Sequence, residues 1–284
     1  MMPRYRDLLL HLDGSPRDET LIAVAARLAA ACAAHLTALY IADTVLPTSL
    51  EAYALAYAAT GDAEALLQRL AEQQNAEAAA CAERFEAVCE REGVERAFHV
   101  LRGRSAPLLT IEARHYDLTI VRQDHPDHPR PPESLDLVTR LLFDSGRPVL
   151  ILPAFGTFPT LGKRILIGWN ASRESARAVN DALPLLAAAE SVRILTINPP
   201  QREDGMSGAD IARHLARHGV RAVADHTVAS DISEADVLLN EAFDQGCDLL
   251  VVGAYGHSKV REMFLGGVTQ RLLEGMTLPV LLSH

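Results

Sequence analysis

The chain lacks the short motifs by which many enzymes declare their chemistry. No GxGxxG follows an apolar run, and GxxxxGK[ST], GxSxG and HExxH are all missing. Dinucleotide-fingerprint, P-loop, nucleophile-elbow and zincin chemistry are therefore excluded in their usual forms. Cysteine is scarce: Cys32, Cys81, Cys89 and Cys247 form neither a CxxC pair nor a zinc-like cluster. Cys81 and Cys89 fall inside a helical pattern and read as buried free thiols. No run of 18 apolar residues occurs, and the apolar run in the opening MMPRYRDLLLHLDGS is too short for a secretory leader. A cytoplasmic location is the expectation. Positive charge is also short. A formal net charge of −10 argues against broad attraction to nucleic acid or anionic membrane, and leaves room for a local cationic pocket.

What the chain does contain is a repeat. RDLLLHLDGSPRDET (6–20) overlays KRILIGWNASRESAR (163–177), setting Asp13 opposite Asn170 and Ser15 opposite Ser172 at an offset of 157. The same offset lays LTALYIA (36–42) over RILTINP (193–199). Farther on the offset is 131: YDLTIV (116–121) matches CDLLVV (247–252), and Pro148 falls opposite Pro279. The surplus of 26 residues belongs to the first half, between about 43 and 115. Two similar domains, 1–155 and 160–284, thus describe 284 residues better than one. The glycine- and proline-rich LPAFGTFPTLG (152–162) lies at their boundary.

Each half alternates short apolar runs with helical patterns. In the second, strands are expected at Ile165–Trp169, Val192–Thr196, Ala222–Thr227, Leu249–Gly253 and Val280–Leu282, and helices near 172–189, 206–218, 232–245 and 267–275. Nearly continuous apolar strands joined by crossover helices make a mainly parallel sheet with helices on both faces. The fold class is α/β, as two repeated five-stranded domains. Ser15 before Pro16 and Asp18, and Asp231 before Glu234, have the spacing of helix caps. A long helix near 62–92 carries Leu66, Leu67, Leu70, Ala78, Cys81, Phe85 and Val88 on one side. Tyr53 and Tyr57, just before it, read as packing rather than a cofactor platform.

Candidate chemistry gathers at strand ends. Gly253 closes a strand, Gly256 permits a tight turn, and Gly266–Gly267 stand where the last helix begins. Backbone donors there, continuing through Val268 and Thr269, suit phosphates; glycines also bracket helices for purely local reasons. The Thr269 hydroxyl could serve an anion or a helix carbonyl. Asp13 and Asn170 could meet an adenine amino group or a ribose hydroxyl, or simply form the turn before the helix. Lys259 and Arg261 could neutralise phosphate or lie on a solvated face. A lone His257 is weak evidence for catalysis. Asp124, His125, Asp127 and His128 crowd a proline-rich loop that reads as solvated, with no metal. Ser283–His284 lacks a placed acid and reads as a chain end. No catalytic set is assembled.

The repeat resembles the universal stress protein family in its tandem form. That resemblance implies a Rossmann-like fold of the adenine-nucleotide alpha-hydrolase type, with the two domains paired through their final strands around the repeated PVL segments. Nucleotide-binding members carry glycine, two residues, glycine, nine residues, glycine and then serine or threonine after the fourth strand. Here Gly253, Gly256 and Gly266 keep the spacing, while Gly267 replaces the hydroxyl residue. The resemblance also implies that Asn170 and the backbone near Asn198–Pro199 contact adenine, and that ATP with magnesium is the ligand. In the first half Arg122, His125, Leu135 and Asp136 oppose the four glycines, so that half is expected not to bind ATP. Because the same strand-to-helix step is built without glycine there, a purely structural need for the glycines looks weaker. The leading expectation is a stress-associated regulatory protein binding adenine nucleotide in its second domain, with a protein partner, and not a dedicated enzyme. The alternatives are a slow ATPase or phosphoryl-transfer enzyme, and a ligand-free interaction module. Further homodimerisation through the extra helical surface of the first half stays open.

Overall fold

A computed structural model describes residues 4–42, 63–123, 135–199, 208–254 and 267–284. The apolar runs become strands because the inner ones are buried from both sides, and a crossover helix returns the chain so that the next strand lies parallel. The first half supplies β1 (Asp7–Leu12), β2 (His35–Ala42), β3 (Arg96–Arg102), β4 (Leu118–Arg122) and β5 (Val149–Leu152). The second supplies β6 (Arg164–Gly168), β7 (Ser191–Ile197), β8 (Ala222–Thr227), β9 (Leu249–Gly253) and β10 (Val280–Ser283). These strands make one sheet in the order β3-β2-β1-β4-β5-β10-β9-β6-β7-β8. Neighbours within each half are parallel. The halves meet at the antiparallel pair β5–β10, with Val280 opposite Ile151 and Leu282 opposite Val149. The repeated PVL segments are thus the seam.

Alternation along each strand sends side chains to two cores. Leu8, Leu10, Leu118, Ile120, Leu249 and Val251 face the first. It is covered by α1 (Asp18–Cys32), α2 (Ala63–Glu92), α5 (Arg173–Asp181), α6 (Leu183–Leu186) and α7 (Ala209–Arg217). Leu9, Val121, Leu250 and Val252 face the second. There α3 (Ser105–Ala113), α4 (Leu135–Arg140, widening into a π-type turn over Leu141–Ser145), α8 (Glu234–Asp244) and α9 (Gly267–Gly275) cover the sheet. On α2, Ala78, Cys81, Phe85 and Cys89 are buried, as its apolar spacing predicts. Side-chain hydrogen bonds across the seam supplement the strands, among them one from Arg177 to the Gly146 carbonyl. Tyr5 donates its hydroxyl to the Asp181 carbonyl at 2.7 Å, and Gln123 Nε2 donates to the Leu273 carbonyl at 2.6 Å.

Local starts and stops differ from the sequence reading in three places. The stretch 172–189 is not one helix: α5 stops at Asp181 and α6 restarts at Leu183. Pro184 has no N–H to continue the ladder and is accepted only in a first turn. Ser233, not Asp231, caps α8, accepting the Asp236 N–H at 3.1 Å. The Ser15 side chain does not cap α1, which begins at Asp18 with Arg17 before it and no side-chain cap. Instead, the Asp18 carboxylate accepts the Gly14 N–H at 2.8 Å. Ser172, the repeat partner of Ser15, does cap its helix, accepting the Ser175 N–H at 3.1 Å. Ser172→Ala is expected to cost about 1 kcal/mol in urea unfolding, whereas Ser15→Ala lacks that contribution.

Candidate functional site

The second-half crevice lies beyond the carboxyl ends of β6 and β9, where α5 and α9 begin. Gly253 governs its shape. A Cβ at this position would lie 2.3 Å from the Ser175 nitrogen and 2.4 Å from the Glu174 carbonyl carbon. Backbone cannot yield to such an overlap, so the glycine admits the first turn of α5 against the end of β9. The weaker structural need expected for the glycines therefore does not hold at Gly253, where that need is steric. The first half avoids the same need by starting its helix later. Asp18, the first residue of α1, is equivalent to Ser175, yet α5 already begins at Arg173.

The space left by that missing turn is filled by Arg122, the counterpart of Gly253. Its Nη2 donates to Asp13 Oδ2 at 2.6 Å and to Ser15 Oγ at 3.0 Å, while Nη1 stands 3.5 Å from Asp18 Oδ1. Only 9% of the Arg122 side chain and 1% of the Asp18 side chain are exposed. Burial pushes the Asp18 carboxyl up to about 7; the Asp13 charge adds to this, and Arg122 and the Gly14 N–H oppose it. Cys81 of α2 lies 3.8 Å from Asp18, its thiol pushed up to about 11 chiefly by burial. Asp13, the acid that could have met a nucleotide, is engaged by arginine. This cluster went unread in the sequence. Its signal was a double exchange between repeat positions, Arg122 with Asp18 in one half and Gly253 with Ser175 in the other.

The remaining site residues are placed as follows. Asn170 is exposed at the end of β6 and accepts the Ser172 N–H at 3.1 Å; Asp13 makes the same turn with the Ser15 N–H at 3.0 Å. Asn198 has a left-handed backbone with φ 49, and its amide is committed to the backbone N–H and carbonyl of Ala229 at 2.9 and 3.0 Å. It ties β7 to β8 with Pro199 following, so any adenine contact there belongs to backbone. Gly267 opens α9, exposed, and a Cβ on it would meet nothing within 4 Å. Val268 is exposed beside it, whereas Thr269 is buried at 5% exposure. The His284 ring packs edge-on against Phe143 with centroids 4.3 Å apart. Gly256, Gly266, His257, Lys259 and Arg261 lie outside the described residues, as do Tyr53, Tyr57, Asp124, His125, Asp127 and His128. Among the described residues no group of three His, Cys, Asp or Glu is placed to hold a metal ion. No helix among them is long and apolar enough to cross a membrane.

The crevice thus joins two helix starts, an exposed amide and an unobstructed glycine, at the strand ends where open parallel sheets take ligands. Comparison with known proteins supports the architecture. Over its whole length the chain is similar to a universal stress protein from Archaeoglobus fulgidus, with a TM-score of 0.71, 15% identity, and 98% and 97% of the two chains covered. A protein of unknown function from Pseudomonas aeruginosa gives a TM-score of 0.59 at 17% identity, covering 98% and 92%. A universal stress protein of Mycobacterium tuberculosis is 28% identical over 141 residues, 43% of this chain and 96% of its own. The model of the universal stress protein family matches twice, at residues 4–125 and 162–284, and the chain therefore belongs to that family in a tandem two-domain form.

Proposed function

We propose that the second domain, 160–284, binds an adenine nucleotide as a regulatory ligand of a cytoplasmic, stress-associated protein, and that the first domain, 1–155, does not. The supporting observation is the unequal pair of crevices. Where Arg122 fills the first half and holds Asp13, Gly253 leaves no side chain, and Asn170 and Gly267 face open space in the second. The α9 start supplies N–H groups and a positive helix end for phosphate oxygens. Asn170 can donate and accept at adenine or ribose. ATP would bring magnesium with it, since no group of three His, Cys, Asp or Glu among the described residues is placed to hold a metal ion. Bound nucleotide acts by favouring one arrangement of the chain over another and so altering a protein partner's contact.

Equilibrium dialysis of the full chain with labelled ATP and magnesium is expected to give one nucleotide per chain. Gly267→Asp, which copies the first half's Asp136, is expected to weaken binding roughly tenfold through repulsion of phosphate while leaving the melting temperature in place. No saturable binding at millimolar nucleotide overturns the proposal. Phosphate release above blank would instead make the domain a slow ATPase. The steric need at Gly253 favours a second reading, in which the second crevice is also purely structural and the chain is a ligand-free interaction module. Absence of binding selects that reading.

A further inference from the structure

A second concavity borders Arg122, between the start of α1 and the segment that joins the halves. It encloses about 260 Å³ and is lined by Arg17, Thr20 and Leu21 of the α1 start, Arg122, Leu152–Gly156 and Phe158. That volume is near the lower end of the usual range for small-molecule sites, roughly 300–1,000 Å³. Its walls are of two kinds. Leu21, Leu152, Pro153, Phe155 and Phe158 are apolar, and Phe155 is 59% exposed. The polar side holds two guanidinium groups and the Thr20 hydroxyl. Arg122 is already held by Asp13 and Asp18. Arg17, in contrast, makes no hydrogen bond or ion pair among the described residues, and as the residue before α1 it provides no side-chain cap for the helix donors. The fold has therefore put an unengaged cation and an uncapped 15-residue helix at one end of an apolar, aromatic-walled cavity.

We propose that this cavity is a ligand site for a small carboxylate with an apolar body, bound by Arg17 and the α1 start at its charged end and by Phe155 and Phe158 along its length. A bidentate guanidinium–carboxylate contact supplies orientation, and the rings supply burial. A neutral ligand of the same shape leaves Arg17 without a partner. Because Phe155 and Phe158 belong to the segment between the halves, occupancy would stiffen the joint at which β5 and β10 pair. The site is separate from the second-half crevice and does not depend on nucleotide.

Asp18 makes this site sensitive to protons. The groups facing it are Asp13 from the β1–α1 turn, Arg122 from β4, and Cys81 and Arg84 from α2, where Arg84 donates to the Gly14 carbonyl at 3.1 Å. Beyond them Tyr40 meets Glu77 at 3.4 Å. A proton on Asp18 leaves Asp13 as the one charged partner of Arg122 among the described residues, so the charge beside the cavity becomes more positive. With the Asp18 carboxyl pushed up to about 7, that change falls near neutral pH.

Benzoate and benzamide, titrated calorimetrically into the full chain, form the test pair. Saturable benzoate binding is expected, with benzamide roughly tenfold weaker. Arg17→Gln is expected to remove that preference at an unchanged melting temperature, because Arg17 makes no hydrogen bond or ion pair among the described residues. Benzoate affinity in the parent chain is expected to rise from pH 8 to pH 6, and in Asp18→Asn to stay level. Equal binding of the two probes, benzoate binding indifferent to Arg17→Gln, or no saturable benzoate binding at tens of millimolar each overturns the assignment. Should Arg17→Gln lower the melting temperature, Phe158→Ala is the second variant: weaker benzoate binding supports the site and unchanged binding overturns it.

Discussion

Gly253→Ala is expected to destabilise the chain by about 3 kcal/mol or more, against less than about 1 kcal/mol for Gly267→Ala. Both glycines stand at a strand-to-helix step, Gly253 within the phosphate-loop spacing and Gly267 at the position that departs from it, yet their surroundings are opposite. The added methyl at 253 falls 2.3 Å from the Ser175 nitrogen and 2.8 Å from the Glu174 carbonyl oxygen, atoms fixed in the first turn of α5. Relief requires α5 to withdraw from β9 or to unwind its first turn. Withdrawal opens the core containing Ala178, Val179 and Ala182; unwinding discards the Ser172 cap. At 267 the methyl meets nothing within 4 Å and lies in a helix first turn, where alanine is the better helix former. Urea unfolding monitored by far-UV circular dichroism measures both variants. Equal costs would show that α5 can shift cheaply toward the later start that α1 has, and would remove the steric account of Gly253.

Nucleotide measurements on the same two variants separate stability from binding. Gly253→Ala lowers affinity only as far as it displaces the α5 start, so its binding loss should follow its stability loss. Gly267→Asp perturbs no packing, and its effect is read in affinity alone. The pair therefore distinguishes a glycine that shapes the crevice through the fold from one that faces a ligand directly.

The fold was legible because its periodicities are clean. Runs such as LLVVG at 249–253 and VLLS at 280–283 are apolar on both faces, which only a covered parallel sheet explains, and every strand expected in the second half formed within one residue at each end. The repeat located the two matching PVL segments, and the family resemblance implied that they pair, as they do at the β5–β10 seam. Legibility ended where one side chain had several local uses. Ser15 and Ser172 occupy equivalent positions, but only Ser172 caps a helix; the outcome depends on a residue more than 70 positions away, Gly253 or its counterpart Arg122. Spacing likewise singled out Asn198 without showing that its amide is spent on Ala229. Asp18 read as an ordinary acid in a first turn. Its burial, and the arginine above it, are tertiary facts.

That burial produces the second large effect. Between pH 5 and pH 8 the parent chain is expected to lose on the order of 2–3 kcal/mol of stability that Asp18→Asn does not lose. The carboxyl is raised from 3.8 to about 7 in the folded chain, first by burial and then by the neighbouring Asp13 charge, with Arg122 pulling the other way. A raised folded value means that the native state holds its proton more tightly than the unfolded chain. The contribution is therefore fully present below about pH 4, falls as the unfolded carboxyl ionises, and is gone above about pH 7, where the folded group must ionise too. Asparagine keeps an oxygen to accept the Gly14 N–H but has no proton to lose, so the difference between the two unfolding free energies isolates this one group from others that titrate in the same range. Its slope carries the information, because the substitution also changes the constant energy of the cluster. A difference that is flat, or that favours the parent as pH rises, would mean that the Arg122 pair outweighs burial and that Asp18 stays charged throughout. In that case the first-half cluster is a permanent plug. If stability falls as expected, the cluster is a plug whose charge changes near neutrality, in the half of the chain whose strand end carries arginine in place of glycine.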